Sequence, residues 1–371
     1  MNKIKILFKM FYLYHKTAYD PLIDVFRNDP RYDVALSLTD EDKRIFRVFT
    51  KKLSHKFLKD FETQGYRVSD EKENFDIVVV PDVVNESDFG ETLLCLVYHG
   101  ITFTKTVTFR ELRKHRAGRY MIFAEGDYSV QQLHKSGCLF NSEVYKTGYP
   151  KMDTYFKKKQ FDQVEILLSL GLNPDKKTVL FAPTYKPTCA YKLKEAIFQA
   201  TKNYNLIIKL HHYAWGGKFA RHSQHKIFER RLLKYPHAVI IPPNDYSILP
   251  LMAATDTLVS EASGAITEFL ATGKIGVIYN LDQDLLKHSD GEPLLTIDNR
   301  KFLKDSFVHI NHASELEAGI QQALHPTNKM VEAAKKDRDY YFYKLDGKAS
   351  ERVKAEIERL YAEGTHLNKP E

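Results

Sequence analysis

Four short apolar runs each end in residues able to do chemistry. Leu96-Val-Tyr98 runs into His99 and Gly100. Leu180-Phe-Ala182 runs into Pro183, Thr184, Tyr185 and Lys186. Ile207-Ile-Lys-Leu210 runs into His211 and His212, and Leu258-Val259 runs into the small residues around Ser263 and Gly264. A histidine takes up or gives a proton near neutral pH. A strand that passes through small residues into a helix leaves backbone N–H groups at the positive end of the helix dipole, which suits a phosphate. Ser263 could add a hydroxyl donor there, and Glu268, about one and a half turns into the helix, could bond a ribose. His99, Lys186, His211 and Ser263 together suit binding a diphosphate and moving one proton. The plainer alternative makes Ser263 an ordinary N-cap and each histidine a packed residue.

Other chemistries lack their signatures. The chain has no G-x-G-x-x-G, no G-x-x-x-x-G-K-[ST] and no G-x-S-x-G, so dinucleotide, P-loop and hydrolase-elbow sites are not supported. Asp40-Glu-Asp42 reads as the acidic start of a helix rather than a metal motif. His211 and His212 are adjacent, so on an extended segment they point to opposite sides and make poor joint ligands. No metal site is expected.

The runs that carry these residues alternate with helix-like runs. In the first half, strands are expected at 5–8, 34–38, 75–80, 92–97 and 119–124, and helices from 21, over 41–64 and over 129–135. In the second half, strands are expected at 178–181, 206–209, 238–241, 257–259 and 275–278, with helices between. A Lys-rich helix over 151–176 and charged helices over 331–360, broken near Asp346 and Gly347, complete the pattern. Strands alternating with helices imply parallel sheets covered on both faces. The expected architecture is α/β, two Rossmann-like domains facing across a cleft, with ligands beyond the carboxyl ends of the strands. The expected domains are 1–170, 171–345 and a C-terminal helix in 346–371 packing back on the first.

The 371 residues suit two domains. The 23 Phe and 22 Tyr argue against disorder. Three cysteines without metal-like spacing, Cys95, Cys138 and Cys189, fit a reducing compartment. The basic, apolar N-terminus reads as a first strand rather than a signal peptide, and no apolar run approaches the ~18 residues of a membrane span. The net charge of +7 is unevenly spread. Residues 43–59 hold seven Lys or Arg and no acid, with Phe46, Phe49, Leu53 and Phe57 at helical spacing. A second basic cluster comprises Arg110, Arg113, Lys114, Arg116 and Arg119. A basic amphipathic helix suits an anionic membrane or a polyanionic substrate; a core-packed helix with a solvated basic face is the equal alternative. Lys51, Lys52, Lys56, Arg110 and Arg113 are the candidate membrane or acceptor contacts. No nucleic-acid motif accompanies the charge, so nucleic acid is not expected.

The sequence resembles the CDP-glycerol glycerophosphotransferases of teichoic-acid and capsule assembly, most densely over 97–352. His99-Gly-Ile101 resembles the family's His-Gly-Thr, and Thr147-Gly-Tyr-Pro-Lys-Met-Asp153 its Gly-x-Pro-x-x-Asp. Phe181-Ala-Pro-Thr-Tyr-Lys186 resembles Ala-Pro-Thr-Trp-Arg, and Lys209-Leu-His211 resembles Lys-Leu-His-Pro. Asp245 and the stretch Thr255 to Ser263 resemble the segment ending Asp-Tyr-Ser-Ser, and Asp346-Gly-Lys-Ala-Ser-Glu-Arg352 resembles Asp-Gly-x-Ala-x-x-Arg. Ile101, Lys186, His212, Glu261 and Gly264 depart from the pattern, and Lys186 offers a point charge where the family has a bidentate fork. The length is that of short, primase-like members.

The resemblance implies transfer of glycerol phosphate from CDP-glycerol to a hydroxyl of a lipid-linked saccharide, with release of CMP. It implies His99 as catalytic base. Thr184, Lys186, His211, Ser263, Gly264 and Glu268 would hold CDP-glycerol, which is a substrate; no cofactor is expected. His211 also enters the catalytic set by stabilising charge on the diphosphate. The acceptor would lie on the first domain, on the cytoplasmic side, with the protein peripheral on an anionic inner leaflet. The alternatives are an inverting glycosyltransferase using a nucleotide sugar, or a nucleotide- or polyanion-binding protein without turnover.

Overall fold

The computed structural model describes the chain except residues 1–2, 41, 46–48, 72–73, 101–104, 158–160, 216–223, 244, 246 and 365–371. It divides into two compact units, Met1–Lys157 with Tyr340–Glu371, and Lys158–Asp339. The divisions fall near 157 and 340, beside the 170 and 345 read from sequence.

The first unit is built on a seven-stranded sheet. Its strands are β1 (Ile4–Met10), β2 (Tyr32–Leu38), β5 (Arg67–Val68), β6 (Ile77–Val80), β7 (Leu93–Val97), β8 (Met121–Ala124) and β9 (Glu143–Lys146). A separate two-stranded antiparallel hairpin, β3 (Asp42–Ile45) and β4 (Phe49–Lys52), lies between β2 and β5 in the chain. The order in the sheet is β5-β2-β1-β6-β7-β8-β9, all parallel. The chain runs outward from β1 to β5, then returns to the other side of β1 with β6. Strands β6 and β7, Ile-Val-Val-Val and Leu-Leu-Cys-Leu-Val, are buried throughout, as strands covered on both faces must be. Tyr19, Leu22 and Phe26 of the helix Tyr14–Arg27 are fully buried, and the Phe8 ring meets Tyr19 and Phe26 edge-on.

The second unit repeats this winding with six strands. They are β10 (Thr178–Phe181), β11 (Asn205–Ile208), β12 (Ala238–Ile240), β13 (Thr257–Ser260), β14 (Val277–Tyr279) and β15 (Val308–Ile310). The order is β12-β11-β10-β13-β14-β15, again all parallel. Each sheet therefore reverses direction once, at β1/β6 and at β10/β13. Such a switch point opens a crevice beyond the strand ends, where ligands bind in doubly wound sheets.

Three expected elements differ. Residues 41–64 do not form one basic helix: the hairpin β3–β4 precedes a helix confined to Ser54–Thr63. Ile45, Phe46, Val48, Phe49 and Thr50 are β-branched or aromatic residues that favour strands, and the first small polar residue able to open a helix is Ser54. Phe46 lies outside the described residues, Phe49 lies in β4, and the single apolar helical stripe is not formed. The Lys-rich stretch 151–176 is also broken, into Asp153–Phe156 and Gln163–Ser169. Asp162 caps the second piece by accepting from the Glu165 N–H at 3.0 Å, and Gly171, at φ 71°, ends it. Finally, Asp40 and Asp42 precede and open a strand rather than a helix.

Candidate functional site

In the first unit, β7 ends at Val97 and the chain turns at His99. The His99 Nδ1 lies 3.1 Å from the carbonyl oxygen of Pro81, just beyond β6. A carbonyl can only accept, so Nδ1 carries the proton and Nε2 is left with its lone pair. The ring is set among aromatic neighbours: Tyr98 at 4.2 Å, His15 at 4.5 Å and Tyr14 at 5.4 Å between centroids. Burial, with the positive charges of Lys105 and Lys151, pushes its pKa down to about 4 against the bond to Pro81. The imidazole is therefore neutral at pH 7, with its lone pair on Nε2. The Tyr149 hydroxyl donates to the His99 carbonyl at 3.1 Å and fixes the turn.

Tyr149 belongs to a clasp that sequence reasoning did not find. Asp153 accepts from the N–H groups of Ala349 and Ser350 at 2.9 and 2.7 Å, capping the helix Ala349–Ala362 from about 200 residues away in sequence. Arg352 donates to the carbonyl of Thr147 at 2.7 Å and pairs with both oxygens of Asp346 at 2.9 Å. Gly148, at φ 96°, packs so tightly that a Cβ would lie 2.7 Å from the Tyr343 oxygen. The segments 147–153 and 346–352 thus hold each other, and through Tyr149 they hold His99.

In the second unit, the loops after β10 and β13 are joined by Glu261. This carboxylate is fully buried. It accepts from the Thr184 N–H at 2.8 Å, the Cys189 N–H at 3.3 Å and the Cys189 thiol at 3.0 Å. Burial raises its pKa to about 7. Thr184 donates its hydroxyl to the Pro187 carbonyl, so its polar groups shape the loop. That loop carries Lys186, which is exposed and makes no ion pair among the described residues.

Ser263 caps the helix Gly264–Ala271, its oxygen accepting from the Ala265 N–H at 3.2 Å. The N-cap reading of Ser263 is thus realised, and its own O–H and the first helical N–H groups sit at the β10/β13 switch point. A Cβ on Gly264 would meet nothing within 4 Å, so the helix end is open. Glu268 is buried, at 4% exposure, and presents little surface to a ribose as placed.

His211 follows β11. Its Nδ1 accepts from the Tyr213 N–H at 3.3 Å, so the proton sits on Nε2. Tyr185 lies 4.7 Å away and Tyr213 5.1 Å. Its neighbour His212 is pushed down to about 3 by burial and Lys209 and starts a short 3-10 turn.

The basic residues are less concentrated than their sequence spacing suggests. Lys56 is exposed on its helix, while the side chains of Lys51 and Lys52 lie outside the described residues. Arg113 donates to the Ser136 carbonyl at 3.1 Å, Arg110 is half-buried, and Arg119 pairs with Glu143 at 3.3 Å. No helix of the described residues is long and apolar enough to cross a membrane. No three His, Cys, Asp or Glu side chains cluster as metal ligands among them.

Two parallel, doubly wound sheets with polar residues at their switch points define a two-unit α/β protein. Residues 98–359 match the family described as CDP-Glycerol:Poly(glycerophosphate) glycerophosphotransferase, and the chain belongs to that family. Membership supports glycerophosphotransferase activity in general. The solved structures it resembles include the wall teichoic acid polymerase TagF, at 14% identity and TM-score 0.64, over 97% of this chain and 89% of that one. They include a putative UDP-N-acetylglucosamine 2-epimerase from Listeria monocytogenes, at 14% identity and TM-score 0.65, over 100% and 99%. The S. aureus MnaA–UDP structure matches at 15% identity and TM-score 0.60, over 99% of each chain. At these identities the likeness is one of fold. No curated protein matches by sequence.

Proposed function

We propose that the protein transfers glycerol phosphate from CDP-glycerol to a hydroxyl of a lipid-linked saccharide in teichoic-acid or capsule synthesis, releasing CMP. The family supports the donor. The observation that carries the mechanism is the His99 imidazole, neutral and with Nε2 unprotonated. The acceptor hydroxyl gives its proton to Nε2, and its oxygen attacks the phosphorus that bears glycerol. The bond from that phosphorus to the CMP oxygen breaks, and CMP leaves with the electron pair. In-line transfer of this kind is helped by positioning and by charge stabilisation.

Lys186, the Nε2–H of His211 and the donors at Ser263 and Gly264 serve the diphosphate as charge moves onto the leaving CMP. Thr184 shapes the Lys186 loop. A soaked structure of a TagF variant with CDPG supports looking for the donor on this fold. The protein works on the cytoplasmic side, and Lys51, Lys52, Lys56, Arg110 and Arg113 favour an anionic leaflet, worth about 1 kcal/mol per cation near such a surface.

The test is a donor panel. CDP-glycerol should raise the melting temperature, because a ligand that binds only the folded state stabilises it, and CMP should be released with an acceptor present. Stabilisation by UDP-sugars and none by CDP-glycerol would remove the donor assignment.

A further inference from the structure

Lys186 is exposed in the loop between β10 and the short helix Ala190–Leu193, yet the backbone around it is held from two sides. Glu261 holds the loop before and after Lys186. Its Oε1 accepts from the N–H groups of Thr184 and Cys189, at 2.8 and 3.3 Å, and its Oε2 accepts from the Cys189 thiol at 3.0 Å. A side-chain hydrogen bond from Thr188 reaches the same carboxylate. Gln224 holds the middle of the loop. It is buried at the start of the helix Gln224–Leu232, and its Nε2 donates to the Tyr185 carbonyl at 2.8 Å, one residue before Lys186. Glu261 itself follows β13 directly, two residues before Ser263, the cap of the helix Gly264–Ala271.

Burying a carboxylate is costly, and well-packed apolar residues of similar volume often stabilise such a place as well or better. Direction is what the carboxylate adds. Its two oxygens fix three groups of the Lys186 loop relative to the strand end that leads to Ser263. Its negative charge can only oppose an anionic ligand, so any help it gives to binding must come through geometry.

We propose that Glu261 and Gln224 are positioning residues for a diphosphate: they hold the backbone that carries Lys186 in register with the backbone that carries Ser263, without touching the ligand themselves. The ligand is taken from the donor reading above, and the inference deepens that reading by naming what orders its contacts. A ligand that engages two loops binds tighter when the loops are ordered beforehand, because less ordering entropy is lost on binding.

The experiment is calorimetry with CDP-glycerol, and with UDP-N-acetylglucosamine as a second diphosphate. It compares the wild-type protein with Glu261→Asp, Glu261→Gln and Gln224→Leu, each alone and combined with Lys186→Ala. Glu261→Asp keeps the charge and withdraws the oxygens by one methylene. Glu261→Gln keeps the reach, since its Oε1 can still accept both N–H groups, and gives up the charge. Glu261→Asp and Gln224→Leu should each weaken binding about tenfold, and the same changes should cost less than about threefold once Lys186 is gone, because residues that act through one another are not additive. Glu261→Gln should bind at least about threefold tighter than Glu261→Asp. Gln224→Leu decides alone if Glu261→Asp does not fold, and the reverse holds. Unchanged binding in folded variants, Gln no better than Asp at 261, or losses undiminished beside Lys186→Ala would overturn the positioning role. A protein that binds the UDP-sugar with this coupling and not CDP-glycerol keeps the positioning role and loses the donor reading. Failure to bind either ligand removes both.

Discussion

His99 and His211 each follow a buried parallel strand, one in each unit, and their surroundings hold them in opposite tautomers. The carbonyl of Pro81 puts the proton of His99 on Nδ1, and the N–H of Tyr213 puts that of His211 on Nε2. One histidine keeps its lone pair on Nε2, and the other carries its proton there. A base must accept a proton from an attacking hydroxyl, whereas a diphosphate ligand must donate to phosphate oxygens. The same residue type in the same topological position is thus set in opposite tautomers by one backbone contact each, as the proposed division into base and diphosphate ligand requires.

The sharpest way to break this comparison is to remove each ring. A base acts in the chemical step, so His99→Ala should lower turnover by roughly two to four orders of magnitude with CDP-glycerol affinity nearly intact. His211→Ala should lower affinity and turnover together, because its donor acts in the ground state and the transition state. Single-turnover rates and calorimetric donor affinities separate the two patterns; the same pattern in both variants contradicts the division of labour.

The clasp that positions His99 gives a smaller effect. Asp153→Ala leaves two buried N–H groups of the helix Ala349–Ala362 without their acceptor, at about 1–3 kcal/mol for a buried unsatisfied group. The melting temperature should fall, and turnover with it, because Tyr149 loses its support. A melting temperature equal to wild type would show that the segments 147–153 and 346–352 do not stabilise each other.

The pH dependence is gentler still. His99 must be neutral to act, and its pKa is lowered to about 4. The acidic limb of kcat/KM, which reports the free enzyme, should therefore lie near pH 4 and the rate stay flat from about 5 to 7. An ordinary histidine would give a limb near its usual ~6.5. A limb at that ordinary value, absent from His99→Ala, would show that His99 is not buried in the way described.

The central strands were legible because they are continuous apolar runs: Ile77–Val80, Leu93–Val97, Thr178–Phe181 and Thr257–Ser260 could be little else. The edge strands β5, β9 and β15 were not, since Glu143-Val-Tyr-Lys146 is charged at both ends and Arg67–Val68 is two residues long. His99, Lys186, His211 and Ser263 could be found because polar residues just past buried strands stand out. Glu261 could not be assigned its role, because its partners, the N–H groups of Thr184 and Cys189, lie about 75 residues away and come together only in the sheet. The clasp was invisible for the same reason, although its glycine and aspartates were already conspicuous as motifs. The basic run 43–59 misled because aromatic and β-branched residues at helical spacing also satisfy a short hairpin.

The most direct test of the two-tautomer account is nitrogen-15 NMR of the imidazoles, with His99→Ala and His211→Ala used for assignment. The account predicts that at pH 7 the His99 ring is neutral and protonated at Nδ1, the His211 ring carries its proton on Nε2, and the His99 signals do not titrate until near pH 4. A His99 ring protonated at Nε2, or charged at pH 6, would contradict it.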